Sequence, residues 1–312
     1  MSITAEEKSA YIKFSLELAA ELGSISIPPD TLLWHYTNGP ALISILETMT
    51  LYSTQLSCLN DTTELRYGSR LFQEALRTKR AAILEEGMEA ALLDGALKYF
   101  AEDPDFPAQA VVPHFVACFT EEQDDLSQWR AYGGGENGYA IGFRARDLWG
   151  CENASLVRIN YDAVKHHKLA EKAGDAMISF FLEAAGKHRP PDLVSFGKEF
   201  LEAWEAAITM VAPLIKDPAF VKERECRITK GFVGGDLEKL KFIQKEGLMS
   251  RHLPLQPSSD RSKDSYRLPI CEVMIGPCRH PQISRISVDT LLRQKGYPGG
   301  LVSISQIPFQ KT

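Results

Sequence analysis

Three groups of residues in this chain of 312 residues have types and spacings that could do chemistry. His35-Tyr36-Thr37 ends an apolar run, Thr31-Leu32-Leu33-Trp34, and is followed by Asn38-Gly39-Pro40 and the helical pattern Ala41-Leu42-Ile43-Ser44-Ile45-Leu46. A polar triplet at such a strand-to-helix corner can present an imidazole, a phenol and a hydroxyl to one crevice, where open sheets tend to bind ligands. A neutral imidazole both donates and accepts, which suits a sugar hydroxyl. Trp129 and Tyr132 lie three apart on a short helix, so both can face one side. Rings of this kind stack on cationic heterocycles, and Arg130 between them carries a guanidinium that matches pyrophosphate oxygens. Glu223 and Glu225 are two apart, so they share one strand face if the strand begins early enough. Carboxylates placed there can stabilise positive charge as it develops.

Each group also has a plainer reading. His35 can be a core histidine beside Trp34, and the two rings can pack their helix onto a sheet. The glutamates can form surface ion pairs with Arg224 and Arg227 on an edge strand.

The elements that must position these groups follow from pattern. Residues 5–22 have helical periodicity, with Tyr11, Phe14, Leu18 and Leu22 on one stripe and Gly23 as a stop. Ile27-Pro28-Pro29-Asp30 is a connector. A strand over 31–37 and a helix over 40–48 follow, with Asn38 as cap and Pro40 in the first turn. Leu51-Tyr52-Ser53-Thr54 reads as a strand. Asn60-Asp61-Thr62-Thr63-Glu64 opens a helix as a capping box, and its pattern runs to about Phe100 with breaks near Gly87 and Gly95. Strands are expected at 113–119, 139–143, 156–161 and 225–229, and a short helix capped by Asp124-Asp125 runs through Tyr132. Two long helices are expected over about 162–186 and 192–215. Beyond them, 231–264 is polar, with a loop at 256–260. Strands over 267–275 and 300–307 flank a helix at about 288–295. Strands and helices are interspersed without a regular βαβ rhythm, so the fold class is α+β. The expected organisation is an N-terminal helix and connector, 1–30, then a single domain, 31–312, with a helical pair inserted at 162–215.

Composition narrows the function classes. The chain is 44% hydrophobic and 24% charged with a formal net charge of −6, the balance of a soluble globular protein and a poor match to a broad nucleic-acid footprint. Six cysteines, none in a C-x-x-C pair, read as reduced thiols. The start, Met-Ser-Ile-Thr, lacks the pattern of a signal peptide, and no stretch has the apolar length of a membrane span, so a cytoplasmic protein without a membrane partner is expected. There is no G-x-G-x-x-G after a strand, no P-loop and no G-x-S-x-G elbow. His166-His167 and Cys278-x-His280 lack metal partners nearby in sequence, so no metal is expected.

Four segments together carry a resemblance to a known family. They are His35-Tyr36-Thr37; Leu59-Asn60-Asp61-Thr62-Thr63-Glu64; Cys118-Phe119-Thr120 through Trp129-Arg130-Ala131-Tyr132 to Gly138-Tyr139-Ala140-Ile141-Gly142-Phe143; and Glu223-Arg224-Glu225-Cys226-Arg227. In order and spacing the chain resembles an uncharacterised bacterial family, a domain of unknown function distantly similar to the ADP-ribosyltransferase superfamily. The resemblance implies a mixed sheet of that fold and NAD as a consumed substrate. It assigns His35, with Tyr36 and Thr37, to the dinucleotide, and Trp129, Tyr132 or Tyr36 to the nicotinamide. It makes Glu225 the carboxylate that stabilises an oxocarbenium-like transition state, with Glu223 orienting the acceptor. Arg130 would meet the pyrophosphate. The acceptor of ADP-ribose is open among protein, nucleic acid, a small molecule and water, and a toxin or phage-defence role is implied. Two features depart from the superfamily: Tyr52-Ser53-Thr54 only loosely echoes its serine-threonine-serine motif, and two extra helices lie between Tyr132 and Glu225.

Two rival readings come from other classes. One is a non-catalytic nucleotide- or protein-binding module on the same fold, with 162–215 as partner surface. The other is a metal-dependent nuclease using Asp61, Glu64, Glu223 and Glu225.

Overall fold

A computed structural model of the chain describes residues 2–22, 27–59, 63–102, 113–133, 138–149, 151, 154–232, 234–245, 247–256 and 266–308. In chain order the main elements are α1 (Ala5–Glu21), β1 (Leu32–Thr37), α2 (Gly39–Thr48), β2 (Leu51–Gln55), α3 (Thr63–Ala82), α4 (Met88–Glu102), β3 (His114–Thr120), α5 (Leu126–Tyr132), β4 (Tyr139–Arg144) and α6 (Ala145–Leu148). They continue with β5 (Ala154–Arg158), α7 (Ala163–His188), α8 (Leu193–Ile208), β6 (Glu225–Gly231), β7 (Lys241–Lys245), β8 (Leu248–Leu255), β9 (Ile270–Ile275), α9 (Pro281–Gln294) and β10 (Val302–Ile304). Two 3-10 segments, Thr209–Leu214 and Pro218–Glu223, join α8 to β6. The class is α+β with a mixed sheet: β9 and β10 are parallel and the other pairs antiparallel.

β3 is the hub of the sheet. One of its edges pairs with β6 along its whole length, from His114↔Gly231 to Thr120↔Glu225. The other edge is shared. β1 meets it only at Trp34↔Thr120, and β2 only at Thr54↔Val116 and Gln55↔Phe115. The sheet therefore splits along this edge, with β4, β9 and β10 continuing beyond β1, and β8 and β7 beyond β2. Residues 117–119 border the gap between the two wings.

Side-chain alternation then separates two faces. On one, Leu33, Phe119, Ile141, Phe143, Ile228 and Val273 form a core under α2, α6 and α9. On the other, Trp34, Tyr36, Ala140 and Met274 pack with Trp129 of α5. Beside α5, the helices α1, α3, α4, α7 and α8 bury their own core, which includes Tyr11, Leu76, Phe100, Met177, Phe200 and Trp204. The N-terminal helix and the 162–215 pair thus share one hydrophobic layer.

Several boundaries differ from the sequence expectation. Gly95 lies inside α4 rather than at a break. The second long helix ends at Ile208, and the chain continues as a 3-10 turn containing Pro213, which has no N–H to extend an α-helix. The polar stretch 231–264 holds the β7–β8 hairpin: Phe242 and Ile243 of β7 and Met249 of β8 are exposed, while Ser250, His252, Leu253 and Leu255 of β8 are buried, so the buried positions do not follow an apolar alternation. The strand expected at 267–275 begins only at Ile270, after Pro269, and the one at 300–307 spans only Val302–Ile304. The last helix begins early, at Pro281, a residue suited to a first turn. All six cysteines are free.

Candidate functional site

β6 begins after an abrupt turn. Arg224 takes the left-handed conformation, φ 43°, which costs a non-glycine residue free energy. Its guanidinium pairs with Glu122 at 2.8 Å and Glu121 at 3.0 Å, just past the end of β3. Glu223 therefore sits before the strand rather than on it, and strand alternation does not bring it beside Glu225. Lys216 does. Its Nζ donates to Glu223 Oε2 at 2.6 Å and to Glu225 Oε2 at 3.1 Å.

Lys216 is delivered by the connector between the two 3-10 segments. Asn160 N–H donates to Leu214 O at 3.0 Å, and Lys216 N–H donates to Asn160 O at 3.1 Å. The Asn160 side chain donates to Leu22 O at 2.9 Å, which ties the connector to the end of α1.

Glu225 is buried, and its carboxylate is fully engaged. Arg227 Nε donates to Oε1 at 2.6 Å and Nη2 to Oε2 at 3.0 Å, a bidentate pair made by two residues on one strand face. Arg227 Nη1 also donates to Pro213 O at 3.3 Å, and the Cys118 thiol bonds the same carboxylate. Glu225 N–H donates to the Tyr161 hydroxyl at 3.1 Å. Burial alone would raise the carboxyl pKa; the Arg227 charge and hydrogen bond, with Lys216 and Cys118, outweigh it and hold it down to about 2. The group is an anion at any physiological pH.

Tyr132 ends α5 at the border of this cluster. It is 40% exposed, while burial of part of the side chain and the nearby Cys118 and Glu223 raise its hydroxyl pKa, Lys216 opposing. Trp129, three residues earlier, does not share this side. It is buried edge-on to Tyr36, ring centroids 4.5 Å apart, and its Nε1–H donates to Asp124 Oδ1 at 2.7 Å. Tyr36 is equally committed: its hydroxyl reaches the Gln123 and Glu122 carbonyls at 2.8 and 3.0 Å and accepts Asp125 N–H at 3.1 Å. Thr37 is buried at the end of β1. Arg130 is exposed and makes no ion pair among the described residues.

His35 lies on the other face of β1, with its ring 5.6 Å from Phe119. It reaches the cluster only through the gap in the sheet, where its Nδ1 bonds the Cys118 carbonyl at 2.9 Å. Because the acceptor is a carbonyl, Nδ1 carries the hydrogen and Nε2 is left as an acceptor. Burial lowers the His35 pKa and the Cys118 bond opposes this. Among the described residues neither Nε2 of His35 nor the Tyr132 hydroxyl has a hydrogen-bond partner.

The structure therefore brings Glu223, Glu225 and Tyr132 together on one face, holds His35 against the same Cys118 from the gap, and places Tyr36, Thr37 and Trp129 in the packing. Asn60, Asp61 and the Glu64 side chain lie outside the described residues. No group of three or more metal-ligating side chains occurs among the described residues. Sequence reasoning missed Lys216 and Cys118 as members of the cluster. Lys216 follows the stretch expected as a helix over about 192–215 and nothing local ties it to the glutamates, and Cys118 lies in an expected strand with no local sign of its partner. Arg227 had a signal, since two residues separate it from Glu225 by one strand repeat, but it pointed to a surface pair rather than a buried one.

Residues 128–228 match the model of a family described as "Protein of unknown function (DUF2971)". No curated protein and no solved structure matches the chain. The matched segment runs from α5 into β6, so it contains Tyr132, Lys216, Glu223, Glu225 and Arg227, but neither His35 nor Cys118.

Proposed function

We propose that the chain is an NAD-consuming enzyme of ADP-ribosyltransferase type, which cleaves the nicotinamide–ribose bond and passes ADP-ribose to an acceptor or to water. The observation that carries this reading is the meeting at Cys118 of three segments far apart in sequence. His35 binds its main chain from the gap; Tyr132 and Glu225 lie beside its side chain, and Glu223 joins Glu225 through Lys216. In this reading His35 Nε2 accepts from a ribose hydroxyl and the Tyr132 ring stacks on nicotinamide. Glu225, ionised at all working pH, opposes the positive charge that builds on the sugar. Glu223, the more exposed carboxylate, orients the acceptor. A toxin or phage-defence role fits such chemistry.

A second reading is favoured by one specific observation. Both oxygens of Glu225 are already bonded, to Arg227 and Lys216, so the carboxylate that should meet the sugar is neutralised in place. A non-catalytic nucleotide- or protein-binding module needs no free carboxylate there.

Nicotinamide release and NAD calorimetry on wild type, His35→Ala and Glu225→Gln separate the two. The enzyme reading expects turnover in wild type, loss of turnover with retained binding in Glu225→Gln, and weakened binding in His35→Ala. Binding without turnover, with cell extract supplied as acceptor source, supports the module. Neither binding nor turnover by folded wild type removes NAD from both.

A further inference from the structure

The helical layer holds a cavity that plays no part in the Glu225 cluster. It lies between α1, α3, α7 and the 3-10 turn after α8, with Leu18, Leu71, Phe72, Ala170, Ala173 and Ile215 among its walls. It opens to solvent: its cavity volume is about 70 Å³, and the empty space reaches about 620 Å³ only when open solvent at the mouth is included.

Three polar side chains line its wall, and each already has a partner: Ser69 Oγ accepts from Gln73 Nε2 at 3.1 Å. His166 is buried, with Nδ1 at 2.9 Å from the Tyr67 hydroxyl and Nε2 at 3.1 Å from both the main-chain and side-chain oxygens of Asn160. Thr209 donates its hydroxyl to Glu205 O at 3.0 Å. A water needs two to four polar partners to settle in a cavity, whereas an apolar guest needs only dispersion contacts. The cavity is thus matched to hydrocarbon. Its narrow interior limits the guest to about one ring or a short branched chain.

We propose that this cavity is a binding site for a compact, uncharged, apolar molecule. The guest would touch Ile215, the residue immediately before Lys216, on the connector that Asn160 pins to β5's end. The proposal stands whether or not the chain acts on NAD.

Benzene is the probe for the test, with acetamide as the polar control, on the full chain. Near saturation benzene should raise the melting temperature by about 2 °C or more and shift the Ile215 δ1 methyl signal, while acetamide does neither. Ala170→Leu, which fills the interior, should abolish both responses. Gly68→Ala is the milder variant, because its Cβ would stand 3.5 Å from Ile215 Cδ1, an ordinary contact; it should weaken benzene binding at least about threefold by taking space from the guest. If Ala170→Leu does not fold, Gly68→Ala decides. Absence of both responses in folded wild type overturns the proposal, and so does a response unchanged in every folded variant.

Discussion

His35 Nδ1 and the Cys118 carbonyl are 2.9 Å apart at the gap where β1 leaves β3. The side chain supplies a hydrogen bond where strand pairing has stopped. His35→Ala leaves that carbonyl without its donor, so a loss of about 1–3 kcal/mol is expected. Urea unfolding measures it. An unchanged midpoint would mean that the histidine is not what secures the split.

Glu225 and Glu223 should differ sharply in stability although both touch Lys216. Glu225→Gln leaves buried Arg227 and Lys216 short of charge, with an expected cost of about 3–5 kcal/mol. Glu223, whose side chain is 22% exposed, should cost under about 1 kcal/mol as Glu223→Gln. The double variant Glu225→Gln, Arg227→Met should recover part of the loss, because it removes the stranded cation. Equal costs for the two single variants would contradict the buried bidentate pair.

Trp129 is a packing residue, and Gly276 shows how tightly it is held. A Cβ on Gly276 would stand 2.7 Å from Trp129 Cε3, so Gly276→Ala should cost about 1–3 kcal/mol. Trp129→Ala should cost about 3–5 kcal/mol, whereas exposed Tyr132→Ala should stay within about 1 kcal/mol of wild type. Thermal unfolding of the three variants checks the order. If the enzyme reading holds, Tyr132→Ala should nevertheless weaken NAD binding.

Acid should destabilise the fold in two stages. His35, His114, His166 and His252 all have pKa values lowered by burial from an ordinary 6.5. Below that pH the unfolded chain takes up protons that the folded chain refuses, so stability falls as pH drops from 6.5 toward the folded values and is unaffected above. Glu225 acts lower: its contribution is complete above 4.5 and is lost as pH falls from 4.5 to about 2. Denaturant midpoints from pH 8 to pH 3 should show both declines, and Glu225→Gln should flatten the second. A flat profile between pH 7 and 5 would contradict neutral buried histidines.

Periodicity, caps and composition by themselves determined the fold class, most of the helices, the strands β1 to β6 and the residues nominated for chemistry. Those are local properties: Asn38 caps α2 by accepting Ala41 N–H at 2.9 Å, and Asp125 caps α5 by accepting Ser127 N–H at 2.8 Å, as their side chains alone suggest. The β7–β8 hairpin was not legible, because β7 is exposed and the buried positions of β8 include the polar Ser250 and His252 beside Leu253 and Leu255, which leaves no apolar alternation. Only the tertiary structure decided what the nominated residues touch. Trp129 and Tyr132 are separated by a difference of one helical face, Tyr36 and His35 by the alternation of one strand, and neither pattern says which face is wet. Lys216 joins Glu223 and Glu225 because Asn160 pins its connector across more than fifty residues of intervening chain. Such charge pairing depends on distance in space and on the water excluded around it, and sequence spacing encodes neither.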